Sequence, residues 1–170
     1  AAAQAIRDNY NQNDDPALDC EPESLPSTIL PVFPVRFSVV QDSQVHIWYE
    51  EFDGFRLIDL SLDEHPAHIE PTLMGHSIGK LEGNVLEIDT IGFSETVWGL
   101  GRGAQSGEQK HITERYELSE DGTKMSVEYW FEDPEYLTER QSITGEMLLK
   151  PGYDFEAWIC DADAARRHLN

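Results

Sequence analysis

The sequence predicts an all-β protein: an antiparallel meander of about nine strands that closes into a barrel, preceded by an extended N-terminal arm. Three observations support this class. Apolar residues recur at every second position through most of residues 35–160, glycine-containing turn signals separate these runs, and no convincing helix lies between them. Short connections favour antiparallel neighbours, and closing the sheet would remove its exposed edges.

The 170 residues divide into three predicted parts: 1–30, a proline-rich N-terminal arm; 31–161, the β-barrel domain; and 162–170, a short C-terminal tail. Closely spaced prolines in the arm remove backbone donors, so it holds at most a short helix near Ala2 to Tyr10. The tail, Ala162 to Leu169, is the other helix candidate and is too short to be stable alone.

Alternation begins after Pro34, and a turn or loop follows each run. Asp53-Gly54 predicts a hairpin between the second and third strands, because glycine tolerates the positive φ that tight turns need. The glycine-rich residues 99–107 predict a loop. The nine predicted strands are 35–40, 45–50, Phe55 to Leu60, Thr72 to Lys80, Val85 to Ile91, Gln109 to Leu118, Lys124 to Phe131, Gln141 to Leu149 and Phe155 to Cys160.

The charge balance restricts the partners that we predict, and the N-terminal residues indicate the compartment. With 12 basic and 33 acidic residues the formal charge is −21, which argues against nucleic acid and anionic membrane surfaces as partners. No apolar run approaches the roughly 18 residues of a membrane span. Ala1-Ala2-Ala3-Gln4 is typical of the remainder of a signal-peptidase site, or of a cloning remnant. We therefore predict a periplasmic or secreted protein whose signal peptide has been removed.

The two cysteines, Cys20 and Cys160, are either buried free thiols or a disulfide closing a loop of about 140 residues. We favour the disulfide, because it would tie the arm to the last predicted strand and because no nearby His or Cys completes a zinc site. An oxidising compartment would follow. We predict no metal and no cofactor.

Side-chain alternation places three of the four tryptophans, Trp48, Trp130 and Trp158, on the polar faces of their strands. Indole rings mixed with Glu and His are typical of a ligand cavity. The N-terminal arm or a neighbouring subunit could equally cover these rings, and the sequence leaves both interpretations open.

Residues 108–116 carry the most informative polar pattern. Alternation places Glu114 among apolar side chains, where a carboxylate must be paired or must take up a proton. We favour an internal ion pair, for example with Arg56, over a catalytic role. His111 falls on the opposite face, where Glu50 or Glu128 could form an acid and base pair with it across strands.

Two further patterns have structural interpretations. Gly75 to Gly79 matches G-x-S-x-G, but no helix follows, so we do not predict a serine nucleophile. His65-Pro66-Ala67-His68 lies in a loop without a third ligand at fixed spacing. His65 is therefore predicted to anchor the loop or to edge a pocket rather than to bind a metal.

Motifs between residues 14 and 161 carry a resemblance to a known family. They are Tyr49-Glu50, Arg56, His65-Pro66, the Pro71-Thr72 to Leu86 segment with Gly75, Ser77, Gly79, Glu82 and Gly83, then His111, Glu114 and Arg115, Asp133-Pro134 and Cys160. The chain resembles a large family of exported, mostly uncharacterised bacterial proteins. The resemblance implies export, a Cys20–Cys160 disulfide and a lipocalin-like β-barrel, and it implies no activity. Leu81 and Asn84 depart from the family's usual Trp and Asp.

Three functions are predicted. The first is a small-molecule-binding barrel, in which the three tryptophans line the cavity and polar side chains orient the ligand. The second is a cofactor-independent lyase, isomerase or hydrolase using His111 or Glu114 for proton transfer. The third is a subunit of a homo-oligomer or larger extracytoplasmic assembly that docks through its arm and tryptophan face. The predicted ligand-binding residues are Trp48, Glu50, Arg56, His65, Arg115, Trp130 and Trp158.

Overall fold

The computed structural model describes residues 5, 8–11, 13, 15–29, 34–101 and 103–167. Ala1-Ala2-Ala3-Gln4 and the end of the tail at Leu169 lie outside the described residues, as does most of the helix predicted near Ala2 to Tyr10. None of the described helices is both long enough and apolar enough to cross a membrane.

The structure is all-β, with 39% strand and 12% helix. Its eight strands are β1 Val35–Val40, β2 Gln44–Tyr49, β3 Phe55–Asp59, β4 His76–Glu82, β5 Val85–Ile91, β6 His111–Leu118, β7 Lys124–Glu132 and β8 Gln141–Leu148. They form one curled sheet in sequence order, a half-barrel in which β1 and β8 do not pair. The helix α1 spans Ala162–Arg166, and short 3-10 helices span Pro16–Asp19, Ser27–Ile29 and Glu51–Asp53.

The predicted ninth strand and the closure of the barrel are wrong. Residues 155–160 alternate like a strand but form no ladder. Instead, the backbone N–H groups of Glu156 and Trp158 donate to the side chains of Glu50 and Asp53, at 2.9 and 3.2 Å. Carboxylates thus satisfy donors that a neighbouring strand would otherwise satisfy.

The sheet is not antiparallel throughout. β3 and β4 are parallel, and their register has only two pairs, Ile58 with Ser77 and Asp59 with Ile78. A parallel pair needs a long crossover, and residues 60–75 supply it. The sheet therefore consists of two antiparallel meanders, β1–β3 and β4–β8. The strand predicted from Thr72 begins only at His76.

The apolar face of the sheet curls around the core. Phe37 of β1 contacts Tyr116 of β6 edge to face, with ring centroids 5.1 Å apart, although the two strands are not neighbours. Leu25 of the arm and Phe93 are fully buried in the same cluster. Side chains therefore fill the interior of the half-barrel. The fully buried aliphatic residues of the strands in this cluster are Ile47, Ile58, Ile112 and Val127.

Three contacts fix the N-terminal arm. The predicted Cys20–Cys160 disulfide is confirmed, and Arg166 of α1 donates to the carboxylate of Asp19. Lys110 is 1% exposed, and its ammonium donates to the Leu25 carbonyl at 2.6 Å and the Ser24 hydroxyl at 2.8 Å. Burial lowers the pKa of Lys110 to about 7.

Candidate functional site

A buried ion pair lies at the centre of the interior. Arg56 of β3 donates to both carboxylate oxygens of Glu114 of β6, at 2.7 and 3.1 Å, and the side chains are 1% and 0% exposed. The internal ion pair predicted for Glu114 is therefore confirmed. Hydroxyl groups complete the cluster: Tyr116 donates to Glu114 at 2.6 Å, and Arg56 donates to Tyr49, Ser77 and Thr90.

The electrostatics of this cluster are those of a structural pair. Burial alone would lower the pKa of Arg56, but the adjacent Glu114 carboxylate outweighs it and raises that pKa, so the guanidinium stays charged. Burial, reinforced by Glu114, raises the pKa of Tyr116. Ser77, the serine of the G-x-S-x-G pattern, is bound within this cluster and is 5% exposed.

A second polar cluster lies on the opposite, outer face of the sheet. We call it the histidine–carboxylate array, formed by His76, His65, Asp89, His111 and Glu132. Nδ1 of His76 lies 2.9 Å from Nδ1 of His65, whose Nε2 lies 2.8 Å from Asp89. The other Asp89 oxygen lies 2.6 Å from Nε2 of His111, whose Nδ1 lies 3.3 Å from Glu132. Three imidazoles and two carboxylates thus form one continuous hydrogen-bonded series.

Strand register brings this array together. His76 is on β4, Asp89 on β5, His111 on β6 and Glu132 on β7, and His111 pairs directly with Glu132. All four project from the outer face, because their strand neighbours alternate into the core. His65 comes from the 60–75 crossover, which lies over this part of the sheet. The same crossover that makes β3 and β4 parallel therefore completes the array.

The ionisable groups differ in proton affinity along the array. The hydrogen bond to Asp89 raises the pKa of His111, and Glu132 adds to the effect. Partial burial lowers the pKa of His76, and the neighbouring His65 lowers it further. Burial opposes ionisation of Asp89, but hydrogen bonds from His111 and His65 outweigh it and lower the pKa of Asp89. His111 therefore holds its proton more strongly than His76 does.

An open groove of about 730 Å³ adjoins the array. Trp130 forms part of its wall, and the Arg140 guanidinium lies 5.7 Å from the centroid of the indole ring while donating to the Thr113 hydroxyl. His65 and Asp89 belong to both the array and the groove. The outward side chains and crossover residues that line it are Leu62, Asp63, Glu64, His65, Lys80, Glu87, Asp89, Thr113, Arg115, Trp130 and Arg140.

The structure brings together only part of the predicted site. Of the predicted ligand-binding residues, His65, Arg115 and Trp130 line the groove. Arg56 instead lies in the interior ion pair. Glu50 is buried and accepts hydrogen bonds from the Tyr153 hydroxyl, so it fixes the C-terminal segment.

The three tryptophans do not line one cavity. Trp48 is 43% exposed and packs against Phe55, with ring centroids 4.5 Å apart. Trp158 packs against Phe52 beside a separate cavity of about 350 Å³. Only Trp130 lies in the outer groove.

The predicted catalytic residues are also separated. His111 and Glu114 project from opposite faces of β6, so they cannot act on one substrate atom. The partners proposed for His111, Glu50 and Glu128, are replaced by Asp89 and Glu132.

Sequence reasoning missed Asp89, His76 and Arg140. Asp89 alternates with apolar residues in a strand and looks like an ordinary outward carboxylate; its role depends on register with β6. His76 was seen only as part of G-x-S-x-G. The one available signal was that His76, Asp89 and His111 each fall on the polar face of a predicted strand.

The array has hydrogen-bonding rather than metal-binding geometry. The facing nitrogens of His65 and His76 are 2.9 Å apart, as in a hydrogen bond between one protonated and one unprotonated imidazole nitrogen. Within the described ranges, no group of three or more His, Cys, Asp and Glu side chains has an arrangement that could hold a metal ion.

Comparison with protein-family models, with curated proteins and with solved structures gives no match. The fold and the site therefore define the class on their own: an open, half-barrel β-sheet protein with a histidine–carboxylate array beside an outer groove.

Proposed function

We propose that this is an exported, lipocalin-like protein that binds a small molecule in the outer groove, not inside the barrel. The observation that carries the proposal is the position of Trp130 in a groove of about 730 Å³ next to His65 and Asp89 of the array. Binding sites characteristically combine apolar surface with a few fixed polar groups. Among the described residues, buried side chains fill the interior.

The groove favours a planar molecule with polar substituents. The indole of Trp130 lines the groove, and the Arg140 guanidinium lies over one face of its ring, so an aromatic surface and a fixed cation are adjacent. Lys80 and Arg115 alternate with Glu87 along neighbouring strands, so the polar wall carries both signs of charge. A ring bearing both donor and acceptor groups matches this lining better than a simple anion or an alkyl chain.

Native mass spectrometry of the protein from its own source tests the proposal. We expect a discrete additional mass that is lost under denaturing conditions. Trp130→Ala should lose this mass, whereas Trp130→Phe should retain part of it. Trp48→Ala is the matched control, because Trp48 is an outer-face indole on β2 outside the groove, and it should retain the mass fully. A bare wild-type protein, or an adduct kept by Trp130→Ala, would contradict the proposal.

A second function is cofactor-independent proton transfer by the histidine–carboxylate array beside the groove, and the differences in pKa along the array favour it. Within the described part of the chain no hydrogen bond engages Nε2 of His76. The lowered pKa of His76 favours its neutral form, which is the form that acts as a general base. Activated esters and β-hydroxy acids are suitable probes. Turnover should disappear in His76→Gln and persist in His68→Gln, since His68 is an exposed loop histidine.

Export is part of the proposal. A disulfide between Cys20 and Cys160 is compatible with an extracytoplasmic protein, because such bonds persist in oxidising compartments. Membership of the exported bacterial family that the motifs resemble would account for both the disulfide and the barrel-like sheet.

A further inference from the structure

β8 is an open edge of the sheet. It pairs with β7 along its whole length, and no backbone hydrogen bond between described residues reaches its other side. A row of N–H and C=O groups is therefore available for another strand. We propose that β8 pairs in antiparallel fashion with β8 of a second copy, giving a dimer with two-fold symmetry.

The edge lacks the features that usually prevent such pairing. Gln141–Leu148 contains no Lys, Arg or Pro, and Lys124 of the same chain binds its single charged side chain, Glu146, at 3.1 Å. The opposite edge is different. β1 is shorter and carries Arg36, whose guanidinium lies 4.5 Å from the Phe155 ring of the C-terminal segment. The sheet therefore has one protected edge and one unprotected edge.

The sequence of β8 is complementary to itself in one register. With Gly145 opposite Gly145 of the second copy, Ile143 faces Met147 and Thr144 faces Glu146. Within Gln141–Leu148 no like charges oppose one another, and just beyond the strand Arg140 would face Lys150. In this register, directly opposed residues are both odd-numbered or both even-numbered. Their side chains therefore point to the same side of the sheet, so the apolar faces of the two copies lie on one side. Two exposed apolar side chains would lie near the ends of this interface: Leu148 is 58% exposed and Leu149 is 62% exposed.

Net charge opposes the association. Each copy carries −21, so two copies repel strongly at low ionic strength. Screening shortens the Debye length from about 10 Å at 0.1 M to about 3 Å at 1 M salt. We therefore expect the dissociation constant of the dimer to fall severalfold as salt rises. Association driven by charge attraction would weaken with salt instead, so the direction of the change distinguishes the two.

Sedimentation equilibrium of the full chain across this salt range is the first test. Wild-type protein should approach twice the monomer mass at high salt. Gly145→Lys should remain monomeric, because the two lysines would face each other. A side chain at Gly145 meets no atom within 4 Å, so the monomer should fold normally. Ser126→Lys on the adjacent strand β7 adds the same charge at an exposed position and should still dimerise.

Cysteine cross-linking tests the register. Directly opposed residues in an antiparallel pair have Cα atoms about 4.5 to 5.5 Å apart, within the range of a disulfide. Gly145→Cys should therefore give a reductant-sensitive covalent dimer, whereas Ser142→Cys, whose copies lie far apart in this register, should not. A monomer under all conditions, a larger open-ended oligomer, a dimer that survives Gly145→Lys, or equal cross-linking of both cysteine variants would overturn the proposal.

Discussion

Arg56 and Glu114 show how a charged pair is accommodated in an apolar core. Removing two charges from water is costly, and their attraction offsets that cost only when the remaining donors and acceptors are also satisfied. Here the hydroxyls of Tyr49, Tyr116 and Thr90 lie within hydrogen-bonding distance of the pair, while the Nε atom of Arg56 is buried without a hydrogen-bond partner among the described residues. Removing either partner would therefore leave an uncompensated buried charge and lower the stability of the fold.

Glu114→Gln should lower the free energy of unfolding by about 3 to 5 kcal/mol, because it leaves the buried guanidinium without a counter-charge. Chemical denaturation measures the change. Glu117→Gln is the matched control: Glu117 binds Arg115 on the half-exposed outer face, and its loss should cost under about 1 kcal/mol. Equal effects of the two substitutions would contradict the central role of the buried pair.

The His111–Asp89 bond should make stability depend on pH. Folding raises the pKa of His111 above its ordinary 6.5, so its contribution is complete below that pH and fades as pH rises through the folded value. Folding lowers the pKa of Asp89 below 3.8, so its contribution is present above that pH and fades as pH falls through the folded value. The bond therefore stabilises most between about pH 4 and 6.5.

His111→Gln should accordingly destabilise the protein most near pH 5 and least near pH 8, measured as the difference in unfolding free energy from wild type. His68→Gln provides the comparison, since the His68 side chain is 87% exposed and its pair with Glu70 should contribute little at any pH. A pH-independent loss in His111→Gln would show that the ring contributes through packing alone.

The burial and pairing of a side chain could be predicted where strand alternation alone determines which face of the sheet it occupies. Glu114 falls among apolar positions in the sequence, where a carboxylate needs a partner, so an internal ion pair, for example with Arg56, could be proposed. Asp89 offered no such signal. Its partners come from β6 and from a crossover loop, and neither strand register nor loop position can be read from residue spacing.

At the scale of elements, Lys110 fixes the arm to the barrel. Its ammonium donates to Ser24, to Leu25 and to the Gly99 carbonyl, and it lies 4.2 Å from the Phe93 ring. Lys110 immediately precedes β6, so one residue joins the arm, the 93–107 loop and the sheet. The disulfide and the Arg166–Asp19 ion pair hold the arm at residues 19 and 20, whereas Lys110 holds it at Ser24 and Leu25.

Lys110→Met should release the arm without unfolding the sheet. Methionine keeps most of the apolar length but leaves three buried acceptors without a donor. We expect amide hydrogen exchange in residues 21–29 to accelerate about tenfold or more, while exchange in β5 to β7 stays slow. Lys124→Met removes an exposed lysine and should leave the arm unchanged. Uniform acceleration throughout the chain would show that Lys110 stabilises the whole fold instead.

The strands were predictable because turn residues and alternation mark them, and eight of nine predicted runs contain a strand. Two features escaped sequence reasoning for physical reasons. Residues 155–160 alternate, yet side-chain carboxylates rather than a strand bind their backbone. Whether β4 runs parallel or antiparallel to β3 depends on the path of the 60–75 crossover, and turn-forming residues do not indicate that path.

At the scale of the whole molecule, the disulfide joins the two ends of the described chain. Cys20 precedes the sheet and Cys160 follows it, separated by 140 residues, and the Arg166–Asp19 ion pair lies beside the bond. In the chain-entropy description, closing a loop of this length restricts the unfolded state by on the order of 5 kcal/mol.

Reduction should therefore lower the unfolding free energy by about 3 to 5 kcal/mol. Denaturation with and without reductant measures this, and the Cys20→Ser, Cys160→Ser double variant should match the reduced protein. The double variant should also no longer respond to reductant. Stability that is insensitive to reductant in the wild type would mean that the cysteines are not paired in solution.

The two-pair parallel contact between β3 and β4 is the shortest strand pairing in the sheet. Few backbone hydrogen bonds cross the boundary, so cooperativity between the β1–β3 and β4–β8 meanders depends on side chains. Arg56 lies on one side of that boundary, and Ser77, Thr90 and Glu114 lie on the other. The buried ion pair thus couples two halves that would otherwise open separately, and without it the β1–β3 meander would unfold first as a subglobal unit.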